Sequence, residues 1–313
     1  MKNMLINKKT VRAAAHFLIF SLTVGFLTSC EDVVDLDIES GASQLVVEGW
    51  VTNQVTSQTI RLTESAPYFD NTSAKPALNA VVTVTDEKGK VFTFKDIKNN
   101  GNYVWQPASV RDTIGRVGST YTLRVKLGTE EYTAVSKLNR VPKIDSITYF
   151  FDKLPVAPPD NAPQEGYTAE FFARDPAGTG DCYWIKSYKN GKYFDKAANI
   201  TTAFDAAFSP GANSDGLRFI LPIRRSISPE FYKEKDTVKV DLYSVSLEGY
   251  YFLNQVRNES ANQGLFSTAP SNIYTNVKNT NSTGRKALGF FGAAAISTYS
   301  EVIDAKKAKP KNG

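Results

Sequence analysis

The chain has 313 residues, 42% hydrophobic, 12% aromatic and 22% charged, which suits a folded globular protein. Its net charge of +5 is concentrated: Lys2, Lys8, Lys9 and Arg12 face no acidic side chain in the first 29 residues, and 33 Lys and Arg face 32 Asp and Glu beyond them, so no basic excess remains to bind nucleic acid. His16, the sole histidine, lies in the same segment, and Cys30 and Cys182 are the only cysteines; a His-based catalytic triad, a His-containing zinc site and a disulfide framework are thereby excluded.

In chain order, the basic flank is followed by an apolar run from Ala13 to Leu27, and residues 1–29 read as a signal peptide. Leu27-Thr28-Ser29-Cys30 resembles the bacterial lipobox, in which small side chains clear a cleavage site and the Cys thiol accepts diacylglycerol. Two or more acyl chains anchor stably where one does not, at about 0.8 kcal/mol per buried methylene. The expected partner of Cys30 is therefore the lipid bilayer. Residues 30–43 form a tether in which Glu31, Asp32, Asp35, Asp37 and Glu39 meet no basic side chain. This run is similar to the acidic export tag of Bacteroidetes-type surface lipoproteins, which favours display on the outer face of the outer membrane. A solvated spacer is the alternative.

Residues 44–140 alternate apolar and polar at period 2. Strands are expected at 44–51, 58–63, 80–85, 91–94, 102–105, 121–127 and 131–135, with turns at Gly89 and Gly128. Seven short strands in this span predict an immunoglobulin-like or transthyretin-like β-sandwich. Residues 141–305 predict a second β-rich domain. Its strands are expected at 144–151, 167–174, 182–188, 217–223, 237–246 and 287–298, with a turn at Asn190-Gly191 and one substantial helix over 247–262 capped by Ser246. Residues 306–313 form a basic tail expected to fray. The fold class is mostly β.

Without histidine, catalytic chemistry is left to carboxylates, Ser/Lys, Tyr or a bound metal; Asp175, Asp181, Asp195, Asp205, Asp215, Asp241 and Glu248 are the candidate carboxylates, but most stand beside turn formers and the bland reading is favoured. The loop from Asp175 to Asp181 offers oxygen ligands for calcium or, more simply, a turn between two strands. Cys182 reads as a small packed residue and Arg224-Arg225 as a solvated pair. Aromatic residues are the notable excess, with 19 Phe, 15 Tyr and 3 Trp. Tyr and Trp suit sugar stacking and protein interfaces, so Trp184, Tyr188, Tyr193, Tyr251, Ile273 and Tyr274 are the candidate interaction surface. The bland alternative is that Phe and Tyr simply build the core. No metal or other cofactor is expected.

Several motifs in order resemble one family. They are the lipobox with its acidic segment, Leu45-Val46-Val47-Glu48-Gly49, Ala80-Val81-Val82-Thr83-Val84 with Gly89, Gly101-Asn102-Tyr103, and Asp175-Pro176. Pro270-Ser271-Asn272-Ile273-Tyr274-Thr275-Asn276-Val277 and Gly289-Phe290-Phe291-Gly292-Ala293 follow. The family is that of the Bacteroidetes lipoproteins known as domain of unknown function 4249. The resemblance implies a lipid-anchored envelope protein, often encoded beside TonB-dependent outer-membrane receptors; it implies no catalytic residues. The expectation is a non-enzymatic binding accessory on the outer-membrane surface, with a TonB-dependent receptor as partner and its small-molecule or glycan ligand unknown. A structural or adhesive envelope component is the alternative, and a carboxylate-dependent hydrolase the least favoured.

Overall fold

The computed structural model describes residues 42–66, 72–158, 162–262, 268–269 and 271–311. Residues 1–29, read as a signal peptide from sequence, Cys30 and the acidic residues Glu31, Asp32, Asp35 and Asp37 lie outside the described residues. From Ala42 onward the chain forms one unit, mostly β, organised around three clusters of buried side chains.

The first cluster fills a sandwich. Strands β1 (Leu45–Thr52), β2 (Gln58–Glu64), β5 (Asn102–Trp105) and β15 (Ala287–Ala294) form one sheet, in the order β15-β1-β2-β5. Strands β3 (Val81–Asp86), β4 (Val91–Phe94), β6 (Thr120–Leu127), β7 (Glu130–Lys137) and β14 (Lys278–Asn279) form the facing sheet, in the order β14-β7-β6-β3-β4. Period-2 alternation explains the packing: Ile60 and Leu62 of β2 face Leu123 and Val125 of β6 in one core, while Arg61 and Arg124 point outward. Residues Val277, Ala287, Phe291 and Ala293 belong to this core too, so the end of the chain completes the sandwich begun by residues 45–137.

Residues 144 onward build the second core. Its sheet contains β10 (Cys182–Lys189), β11 (Lys192–Tyr193), β13 (Thr237–Val245) and β16 (Ile296–Val302), in the order β11-β10-β13-β16, and β12 (Thr201–Phe204) also pairs with β10. A hairpin of β8 (Ile144–Lys153) and β9 (Glu165–Ala173) covers one face of this sheet. Asn190 at φ 50° and Gly191 at φ 79° turn β10 into β11, the conformation a tight two-residue hairpin demands. The third cluster lies on the other face, where the long helix Leu247–Ala261 packs Tyr250 and Leu253 against Trp184 and Val245. Ser246 caps that helix by accepting a hydrogen bond from the Gly249 N–H at 3.1 Å.

Three expectations change. The strand expected at 217–223 is instead an extended segment leading into a short helix, Leu221–Arg225. Pro222 sits in its first turn, where a missing N–H costs nothing, and Arg224 and Arg225 sit in the last, facing the carbonyl end of the dipole. The strand expected at 287–298 is two strands, β15 and β16, broken at Ala295 where the chain leaves the sandwich for the second sheet. Ser244 holds the break: its hydroxyl accepts the Ala295 N–H at 2.9 Å and donates to the Asn139 carbonyl at 2.7 Å. Finally, the tail does not fray through residue 311, because the Lys309 N–H donates to the Tyr149 carbonyl at 2.8 Å and Lys311 pairs with Asp152 at 2.5 Å.

Candidate functional site

The strands of the second sheet have two chemically different faces. On β10, Tyr183 and Ile185 enter the core beneath the β8–β9 hairpin, whereas Trp184, Lys186 and Tyr188 alternate onto the opposite face. Cross-strand register places Trp184 beside Tyr243 and Ile296, Lys186 beside Asp241 and Thr298, and Tyr188 beside Lys239. Opposite this grid stands the outer face of the sandwich, with Glu48 and Trp50 of β1 and Arg61 of β2. Between them lies an open cleft of about 580 Å³, within the 300–1,000 Å³ range typical of ligand pockets.

Two glycines of β15 let Trp50 reach this position. Trp50 pairs with Gly292 in the parallel β1–β15 register, and a Cβ on Gly292 would lie 2.1 Å from the indole ring. The Trp50 ring crosses that empty space to sit 5.6 Å from both Trp184 and Phe290. Gly289, at φ +85°, lets β15 approach so closely that a Cβ there would stand 2.0 Å from the Val47 carbonyl oxygen. The Gly289-Phe290-Phe291-Gly292 motif is thus a device for docking β15 against β1 beneath an aromatic wall.

Lys186 is the unusual group of the cleft. Its ammonium lies 3.8 Å from the ring centroid of Trp184, 4.5 Å from that of Tyr243 and 5.3 Å from that of Tyr193. It makes no hydrogen bond or ion pair with any described residue. Asp241, its cross-strand neighbour, is occupied by the Lys239 ammonium at 3.0 Å and the Thr298 hydroxyl at 2.7 Å. Burial pushes Lys186 down to about 8, against weaker opposing attraction from Asp241 and Glu48. Burial also raises the Tyr243 hydroxyl, with Asp241 adding to the effect. The nearby indole N–H of Trp184 is buried and finds no acceptor.

Of the residues singled out by sequence, Trp184, Tyr188 and Tyr193 are brought together on this face, with the Tyr188 and Tyr193 rings 5.3 Å apart. Tyr193 lines a different cleft, of about 550 Å³, beside Lys189 and Lys196. None of Trp184, Tyr188 and Tyr193 lines the Lys186 cleft itself, and neither do Tyr251, Ile273 and Tyr274. Tyr251 is the member of the Tyr250-Tyr251-Phe252 run that projects from the long helix into solvent. Tyr274 lines a separate cleft of about 370 Å³ with Glu248 and Asn276, its backbone N–H donating to Gln255 at 2.9 Å. Sequence reasoning missed Lys186, Tyr243 and Trp50 as site residues. Their only signal was a lysine set among aromatics on one face of a strand.

The other candidates are internally engaged. Carboxylate oxygens of Asp175, Asp205 and Asp215 gather within 4.8 Å of one another, a grouping that sequence spacing did not reveal. Asp205 accepts the Gly180 and Asp181 N–H groups, Asp215 accepts the Gly178 N–H, and Asp175 accepts the Tyr183 hydroxyl. Arg140 already fills the carbonyl side of the 175–181 loop, donating to the Pro176, Ala177 and Gly178 oxygens and to Asp181. Cys182 is buried, and burial pushes its thiol up to about 12, the property of an inert packing residue. Arg224 and Arg225 are not a solvated pair: both bind the buried Glu170, at 3.4 and 2.7 Å, and lie over the Phe172 and Phe150 rings.

A β-sandwich joined to a second β-sheet, with a polar and aromatic cleft between them, defines the class of protein. The chain belongs to the family described as domain of unknown function DUF4249, whose sequence model matches residues 31–300. Comparison with curated proteins returned no match. Among the described residues no helix is long and apolar enough to cross a membrane.

Proposed function

We propose that this protein is a surface lipoprotein of the outer membrane, anchored through acylated Cys30, that acts as a non-catalytic binding accessory of a TonB-dependent uptake receptor. The observation that carries the reading is the open cleft of about 580 Å³, built on a body that an acidic tether joins to a lipobox cysteine. Acyl chains supply the anchor. The carboxylates of Glu31, Asp32, Asp35 and Asp37 keep the tether solvated and hold the body away from an anionic membrane surface. The cleft supplies the place for a ligand, with aromatic walls and polar groups of the kind that orient small molecules.

The test is affinity purification of the tagged protein from mild-detergent membranes, with Cys30→Ala as the unanchored control. Mass spectrometry then identifies what accompanies it. The expected outcome is a stoichiometric TonB-dependent barrel with the anchored protein and none with Cys30→Ala. A lipidated protein recovered alone overturns the receptor role and favours a structural or adhesive one.

A further inference from the structure

Lys186 holds the most informative unsatisfied charge in the described chain. Its titratable neighbours come from every packed element: Tyr188 on its own strand, Lys239, Asp241 and Tyr243 from β13, Tyr193 from β11, and Glu48 and Arg61 from the outer face of the sandwich. The two carboxylates among them are engaged elsewhere. Asp241 is held by Lys239 at 3.0 Å and Thr298 at 2.7 Å, and Glu48 leans towards Arg61 at 3.9 Å. Only ring faces contact the ammonium, and the adjoining Trp184 N–H also lacks an acceptor. A half-buried cation that no protein carboxylate contacts, lining an open cleft, is complementary to an anion on a ligand.

The rest of the cleft narrows the ligand class. Thr56, Ser57, Thr59 and Asn102 line it, and none of these side chains is bonded to another described residue. Hydroxyls and amides both donate and accept, which matches the hydroxyls of a sugar. Trp50 and Tyr243 add flat ring surfaces of the kind that pack against pyranose faces. We propose that this cleft binds a carboxylate-bearing saccharide, with the carboxylate seated on Lys186 and the sugar hydroxyls on the Thr56–Thr59 and Asn102 rim. This rests on the reading of the cleft as a ligand site, and is independent of the anchor and of the receptor.

The experiment is calorimetric titration of the full-length protein in mild detergent with hexuronate trimers and sialyllactose, each beside its own methyl ester. At least one acid is expected to bind about ten-fold or more tightly than its ester at neutral pH, the size of one charge-assisted contact. The same acid should shield Lys186 from acylation by acetic anhydride, read by peptide mass spectrometry. The preference should fall as pH rises through about 8, where Lys186 loses its proton. Lys186→Met should abolish the preference, and Lys186→Arg should keep it while removing the pH dependence. Shielding on the native protein tests the assignment even where a variant folds poorly. Equal binding of acid and ester overturns the carboxylate assignment yet keeps the cleft as a ligand site. Binding by no member of the panel, or a preference that survives Lys186→Met, overturns the proposal altogether.

Discussion

The β10–β13–β16 sheet presents the same strands to two environments. Beneath the β8–β9 hairpin its side chains are Tyr183, Ile185, Val238, Val240 and Leu242, all buried and apolar or partnered. On the cleft side the alternate positions hold Trp184, Lys186, Lys239, Asp241 and Tyr243. A pleated strand separates these sets by one residue, so one sheet serves as both foundation and binding wall. Stability concentrates on the first face, and unused polar capacity on the second.

Substitutions separate the two roles. Phe219 is fully buried against Phe171 and Tyr183. Phe219→Ala should cost about 3–5 kcal/mol in urea denaturation, with a cleft that binds normally in whatever fraction stays folded. Asp241 is buried between Lys239 and Thr298 on the cleft face. Asp241→Ala should cost about 1–3 kcal/mol, less than a fully buried pair because Lys239 is partly solvated. Equal losses from these two variants would erase the distinction between the faces.

Lys186→Met should act in the opposite direction. Burial lowers the folded pKa from 10.5 to about 8, so below about 8 the native state bears the whole cost of a buried ammonium. That cost is relieved between about 8 and 10.5 and is gone once the unfolded chain has also lost its proton. The variant should therefore gain about 1–2 kcal/mol at neutral pH, less than the shift alone implies because three rings stabilise the cation. The gain should vanish near pH 10.5 in the same denaturation assay. Smallest of the four, Ser246→Ala removes the cap of the helix that packs at one end of the cleft face and should cost about 1 kcal/mol.

Local signals made much of this fold legible. Alternation marked β2 and β6, Asn190-Gly191 marked a hairpin, and Ser246 marked a helix start; each depends only on neighbouring residues. The short helix Leu221–Arg225 escaped because Phe219-Ile220-Leu221-Pro222-Ile223 is a short continuous apolar run, which a buried strand and a buried helical turn share, and its two arginines are organised by Glu170, some 55 positions away in the chain. The cleft was legible only as a neighbourhood. Aromatic content pointed to the sheet face that carries Trp184, Tyr188 and Tyr193 but to none of the residues that line the cleft, and Lys186 is isolated because Asp241 is held by Lys239, two residues away on its own strand, and by Thr298 on β16. The Lys239–Asp241 spacing is visible within one strand, but the placement of Asp241 beside Lys186 and Thr298 depends on register between strands. The Gly289 and Gly292 motif was visible as a resemblance, and its physical reason emerges only when β1 is placed beside β15.

The β15–Ala295–β16 passage has a consequence in time. β1 and β15 lie parallel although Leu45 and its partner Ala287 are separated by about 240 residues, a closure that makes pairing slow. The first strand to emerge during synthesis waits for nearly the last. Until β15 arrives, β1 has one open edge, and so does β13 until β16 follows through the same peptide segment. The two edges are therefore closed by a single late event. Hydrogen exchange during refolding should show both edges gaining protection in one kinetic phase, and a chain cut short before residue 287 should remain open, sticky and prone to proteolysis.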